Sequence, residues 1–135
     1  MSKILIIDDE VRIRNLYKKL LESEGFEVVV TKDATDATYT MIKEREFDLV
    51  LLDINMPEMD GMYVLELIKE QDIDCKVLML SMHDDKEYIL GAMRHGADGY
   101  ILKDVPGKEL IDAIKKVISG KHYFSAEVTE ILSKE

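Results

Sequence analysis

Three acids, a hydroxyl and an amine stand out because each directly follows an apolar run. Asp8 and Asp9 come after Lys3 to Ile7, with Glu10 behind them; Asp53 follows Leu49 to Leu52, Ser81 follows Lys76 to Leu80, and Lys103 follows Gly99 to Leu102. A fifth run, Glu27 to Val30, ends in Thr31 with no evident partner. If the runs are strands of one parallel sheet, their carboxyl ends share a rim, and open α/β sheets bind ligands outside that rim. Carboxylates gathered there repel one another, by about 4 kcal/mol per pair at ~4 Å and an effective dielectric near 20. A cation relieves the repulsion. Oxygen donors without His or Cys suit a hard ion such as Mg²⁺ (or Mn²⁺), which takes one or two carboxylates together with water and phosphate oxygens. Lys103 adds a fixed positive charge and Ser81 a hydroxyl donor. Such a site suits a phosphoryl group carried on one of its own acids, since cation and ammonium together neutralise the oxygens of the group in transfer. Asp53, the lone acid at a central strand end, is the natural acceptor, and a carboxylate is a competent nucleophile for aspartyl-phosphate formation.

The elements that must position these groups are legible as alternating patterns. The five apolar runs are mostly continuous, as in strands covered on both faces. Between them the spacing is helical. Ile13, Leu16, Tyr17, Leu20 and Leu21 make one stripe, closed by Gly25. Residues 34–45 make a second, Thr-rich one, with Ala34, Ala37 and Met41 inward. Tyr63, Val64, Leu67 and Ile68 follow Gly61, with Asp60 as cap. Ile89, Ala92 and Met93 lie behind Asp84 and Glu87 in capping-box spacing and stop at Gly96. Leu110, Ile111, Ile114, Val117 and Ile118 start near Pro106 and end at Gly120. A short amphipathic tail, Ala126 to Leu132, adds a sixth helix. Strict alternation predicts a three-layer α/β domain around a doubly wound, five-stranded parallel sheet. The flavodoxin-like order 2-1-3-4-5 suits five strands, although the pattern alone does not fix it.

Bulk properties narrow the function classes. The 135 residues suit one domain with a real core, and 47% hydrophobic with 34% charged residues is a globular composition. The formal net charge of −10 repels phosphate backbones and favours cations. No run approaches the ~20 apolar residues that span a bilayer, and no signal-peptide pattern opens the chain. A lone cysteine, Cys75, makes no internal disulfide, so the expected location is cytoplasmic.

At this point the residues match a family. The pair Asp8–Asp9, the stretch 53–61 (Asp-Ile-Asn-Met-Pro-Glu-Met-Asp-Gly), Ser81 and Lys103 resemble the receiver domains of bacterial response regulators, and the resemblance covers essentially the whole chain. It implies that Asp8 and Asp9 form a metal-binding acid pocket, with Asp53 and the backbone carbonyl of Asn55 as further ligands. Asp53 would take its phosphoryl group from a sensor histidine kinase, and Ser81 and Lys103 would bind the phosphoryl oxygens. Tyr100 resembles the family's switch aromatic: Ser81 moves toward the phosphoryl group, Tyr100 turns into the vacated space, and the surface of helix 84–96 and strand 99–102 changes. Asn55, Met82 and His83 fall at positions that vary in the family beside the phosphoryl group and should tune its loss, with Met82 narrowing access.

Residues 91–104 and 120–128 resemble the NarL/FixJ type, which continues into a helix-turn-helix domain. The expectation is therefore a receiver over residues 1–121, then a helical extension, or the start of a linker to an effector domain, over residues 122–135. DNA would be bound only through that further domain. A homodimer through a helix face is a further expectation. The alternatives are a stand-alone receiver acting by protein contact and a phosphate-independent interaction module. An aspartate-nucleophile phosphatase would need its nucleophile after the first strand and a second Asp where Asn55 stands. A flavodoxin-like cofactor binder would need a phosphate loop in place of Asp8-Asp9-Glu10, which repels phosphate.

Overall fold

The computed structural model describes residues 2–31, 47–54, 61–82 and 86–134. The elements are β1 (Lys3–Ile7), α1 (Val11–Ser23), β2 (Glu27–Thr31), β3 (Leu49–Asp53), α2 (Gly61–Glu70), β4 (Lys76–Ser81), α3 (Lys86–Arg94), β5 (Gly99–Leu102), α4 (Gly107–Ile118), β6 (Tyr123–Phe124) and α5 (Ala126–Ser133). All five expected strands are present and pair in parallel, in the order β2-β1-β3-β4-β5-β6. The helix expected over residues 34–45 lies outside the described residues, as do Asn55, Asp60, His83 and Asp84.

The continuous apolar runs are explained by burial on both faces, because successive side chains alternate across a strand. Ile4, Ile6, Leu49, Leu51, Leu78, Leu80 and Ile101 meet Ile13, Tyr17 and Leu21 of α1 and Leu110, Ala113, Ile114 and Val117 of α4. Leu5, Ile7, Val50, Leu52, Val77, Met79, Tyr100 and Leu102 face the other way, against Val64, Leu65 and Ile68 of α2, Ile89 and Ala92 of α3, and Val128 of α5. The helix stops fall where glycine permits a left-handed backbone: Gly25, Gly96 and Gly120 have φ of 92°, 86° and 98°.

Several local expectations are corrected. The sheet has a sixth strand, β6, paired to β5 through Gly99↔Tyr123 and Tyr100↔Phe124. Gly99 makes this close approach feasible, since a Cβ there would lie 2.6 Å from the Tyr123 carbonyl oxygen. Leu16 and Tyr63 are 57% and 50% exposed, so they sit off the buried stripes, and Leu65 takes the inward place on α2. A 3.6-residue period leaves neighbouring positions about 100° apart, so adjacent apolar residues cannot all face inward. The helix expected to start near Pro106 does so, running from Gly107 with Pro106 as its extended cap.

Candidate functional site

Strand register brings the polar residues together. Ile7 pairs with Leu52, so Asp8 emerges beside Asp53; Asp53 pairs with Leu80 and Ser81 with Leu102, so Ser81 and Lys103 extend the same rim. Backbone hydrogen bonds carry the ladder past the strand ends. The Ile54 N–H donates to the Leu80 carbonyl at 3.0 Å and the Lys103 N–H to the Ser81 carbonyl at 2.8 Å. The rim is thus fixed by the sheet rather than by loop conformation. Asp8, Asp53, Ser81 and Lys103 are all buried, the unusual state for charged side chains that marks a site.

Lys103 is the hub of the cluster. Its Nζ lies 2.9 Å from Asp8 Oδ2, 3.1 Å from Glu10 Oε1 and 3.3 Å from Asp53 Oδ2. Burial alone would lower the pKa of this ammonium, but the contact with Asp8, the charges of Asp53 and Asp8 and the contact with Glu10 together outweigh it and raise the pKa. The amine is therefore held as a permanent cation. Three carboxylates, of Asp8, Asp9 and Asp53, each offer an oxygen within 4.8 Å of the others. An all-oxygen set of that compactness fits a hard divalent ion such as Mg²⁺. A single ammonium leaves much of the negative charge at this rim unbalanced, which is further reason for the fit.

The helix that follows β1 supports the site from below. Arg14 Nη1 donates to the Asp8 carbonyl at 2.8 Å, and the Glu10 N–H donates to Asp8 Oδ1 at 2.9 Å. Asp8 therefore helps to cap the chain's entry into α1 while its other oxygen faces Lys103. Tyr17, on the buried face of α1, donates its hydroxyl to the Lys103 carbonyl at 3.2 Å. Burial pushes the Tyr17 phenol up, with Lys103 opposing and Asp8 and Glu10 assisting. Gly61 closes the site's floor: a Cβ there would overlap the Asp53 carbonyl oxygen and lie 2.8 Å from Ile54 Cα. Only glycine lets α2 start this close to the end of β3.

Sequence reasoning singled out Asp8, Asp9, Asp53, Ser81 and Lys103, and the structure brings all five to one rim. Tyr100 is fully buried in the cluster with Ile89 and Ala92 of α3 and Val128 of α5, and Met82, next to Ser81, is 62% exposed. Asn55 and His83 lie outside the described residues. Glu10 stood among the rim acids without a role, and Tyr17 was legible only as core. Their links to Lys103 span 93 and 86 positions of the sequence and leave no local signal.

Residues 4–115 match the response regulator receiver domain. The chain is 37% identical over 134 residues to the transcriptional regulatory protein DegU of Brevibacillus brevis, with 98% of this chain and 57% of that protein covered. It is also 37% identical to the transcriptional regulatory protein MctR of Rhizobium johnstonii, covering 98% of this chain and 63% of that protein. The chain thus spans about three fifths of the length of these relatives. Among solved structures, a two-component response regulator of the LuxR family from Aurantimonas superposes with a TM-score of 0.90 at 26% identity, covering 99% of this chain and 96% of that one.

Proposed function

Because this chain belongs to the response regulator receiver domain family, whose members are phospho-signalling switches, we propose that Asp53 is its phosphoacceptor. The observation that carries this reading is the contact of the buried Lys103 ammonium with both Asp8 and Asp53, at 2.9 and 3.3 Å. A carboxylate oxygen of Asp53 attacks the phosphorus of a phosphohistidine on a sensor kinase. The P–N bond breaks and the imidazole leaves with the electron pair. Lys103 meets the negative oxygens of the transferring group, and Ser81, buried at the next strand end, is the hydroxyl donor to them. Asp8, Asp9 and Asp53, with the Asn55 carbonyl, would hold Mg²⁺, which when bound supplies charge neutralisation. Water later attacks the same phosphorus, restoring the carboxylate and releasing phosphate. The chain is on this reading a switch that catalyses its own phosphorylation and dephosphorylation rather than a turnover enzyme.

The readout lies on the α2–α3 face of the sheet. Ser81 shifts toward the phosphoryl group, Tyr100 repacks, and the surface of α3 and β5 changes, with a population shift driven by what the phosphoryl contacts gain in one packing. The similarity to transcriptional regulators of which this chain spans about three fifths supports a receiver of a DNA-binding regulator, acting in the cytoplasm. Among the described residues no helix is long and apolar enough to cross a membrane.

Intact mass measured after incubation with Mg²⁺ and acetyl phosphate or phosphoramidate tests the reading. One added phosphoryl group is expected, and it is absent from Asp53→Asn and from an EDTA-treated sample. Failure of the wild-type protein both to gain mass and to bind beryllofluoride would overturn it in favour of a phosphate-independent interaction module.

A further inference from the structure

An ammonium has three N–H donors, and three carboxylates surround that of Lys103. They are not equivalent. The side chains of Asp8 and Asp53 are essentially fully buried, whereas that of Glu10 is 42% exposed and stands at the solvent edge. The backbone around this cluster is pinned. The Glu10 N–H is bonded to Asp8 and its carbonyl accepts from the Arg14 N–H at 3.0 Å, while the Lys103 carbonyl and N–H are held by Tyr17 and Ser81. With the backbone held, any adjustment of the ammonium falls to the Glu10 and Lys103 side-chain arms. The buried oxygens that Lys103 contacts on Asp8 and Asp53 belong to the carboxylates a divalent cation needs, so ammonium and cation compete for them.

We propose that Glu10 is a positioning residue that draws the Lys103 ammonium toward the rim, leaving the Asp8 and Asp53 oxygens accessible to a divalent cation. This deepens the phosphoacceptor reading and rests on it for its purpose, although the competition itself is a property of the resting site. Without the Glu10 carboxylate, Lys103 settles fully onto the buried acids and the cation binds more weakly. Loss of one negative charge acts in the same direction, so the two effects have to be separated. Aspartate separates them, because it keeps the charge while its arm is about 1.5 Å shorter, which takes it out of reach of the ammonium.

The test is calorimetric titration of Mg²⁺ into the wild-type protein, Glu10→Gln and Glu10→Asp, with the ¹H–¹⁵N signal of the Lys103 ammonium followed in parallel. The expected result is a loss of affinity of about tenfold in Glu10→Gln, a comparable loss in Glu10→Asp, and a shifted Lys103 signal in both before metal is added. Wild-type affinity in Glu10→Asp overturns the proposal, because charge alone then suffices. So does an unchanged affinity in Glu10→Gln, or a wild-type protein that binds no Mg²⁺. The mass experiment is independent: a protein that binds Mg²⁺ as expected but takes no phosphoryl group keeps the Glu10 device and loses the phosphoacceptor reading.

Discussion

Cys75 illustrates how burial alone can decide a side chain's chemistry. It lies just before β4, buried, and burial pushes its thiol up from 9.0 to about 11. The thiolate is the reactive form, so at pH 7.5 alkylation by iodoacetamide should run about a hundredfold slower than for an ordinary thiol. The sign for stability follows from the neutral form being preferred in the folded state. The contribution is complete below pH 9 and is lost as pH rises from 9 toward 11. Urea unfolding of wild type and Cys75→Ala across that range should show the wild type losing on the order of 2 kcal/mol relative to the variant. Residues of this rank differ in how far the sequence discloses them. Asp8, Asp53, Ser81 and Lys103 are legible because each ends an apolar run, and a parallel sheet places all such ends on one rim. Tyr17 is not, because its apolar spacing on α1 is satisfied whether or not its hydroxyl finds the Lys103 carbonyl 86 positions away. Glu10 is visible as an acid, but its pairing with Lys103 depends on a side-chain reach that no spacing encodes.

At the scale of elements, the C-terminal pair β6–α5 is the part least visible beforehand. Two residues of strand carry no periodicity, and β6 is defined only by its partner β5. The helix after it was legible from its amphipathic spacing, although its seat was not. Val128 is fully buried in the same cluster as Tyr100, Ile89 and Ala92, and the Ser125 N–H donates to the Tyr100 carbonyl at 3.3 Å. The tail is thereby tied to β5 at Tyr100. Truncating this contact has a defined cost. Val128→Ala should lower stability by about 2 kcal/mol, the transfer loss of two methyl groups plus the residual cavity. Urea unfolding followed by far-UV circular dichroism checks the value, and a change below about 0.5 kcal/mol would mean that the tail packs loosely. The strands themselves were legible nearly to the residue, because burial on both faces suppresses polar positions. The helices were less so, since their half-buried flanks tolerate Leu16 and Tyr63 in solvent.

For the whole molecule, the central fact is that one end of a well-packed sheet concentrates acids in a chain already carrying a formal charge of −10. Packing on both faces holds the rim rigid, so repulsion among Asp8, Asp9 and Asp53 cannot relax by movement of the strands. A bound cation therefore stabilises the entire fold through mass action, by about 2.7 kcal/mol at a hundred times its dissociation constant. Thermal unfolding should shift upward by about 10 °C in saturating Mg²⁺. EDTA should reverse the shift, and Asp9→Asn should reduce it. An equal shift in that variant would place the ion elsewhere. Fold class was open to inference at this scale because strand–helix alternation leaves few topologies; the sixth strand was the exception, being set by contact with β5 alone.

The phenol of Tyr17 lends the site a further property. The chain has six tyrosines and no tryptophan, so its near-ultraviolet absorption and emission are those of tyrosine. Among these rings, Tyr17 is buried, hydrogen-bonded to the carbonyl of Lys103 and immersed in the fields of Lys103, Asp8, Glu10 and Asp104. Any rearrangement of those charges alters the environment of a native chromophore. The protein carries its own optical probe of the rim, readable without a label.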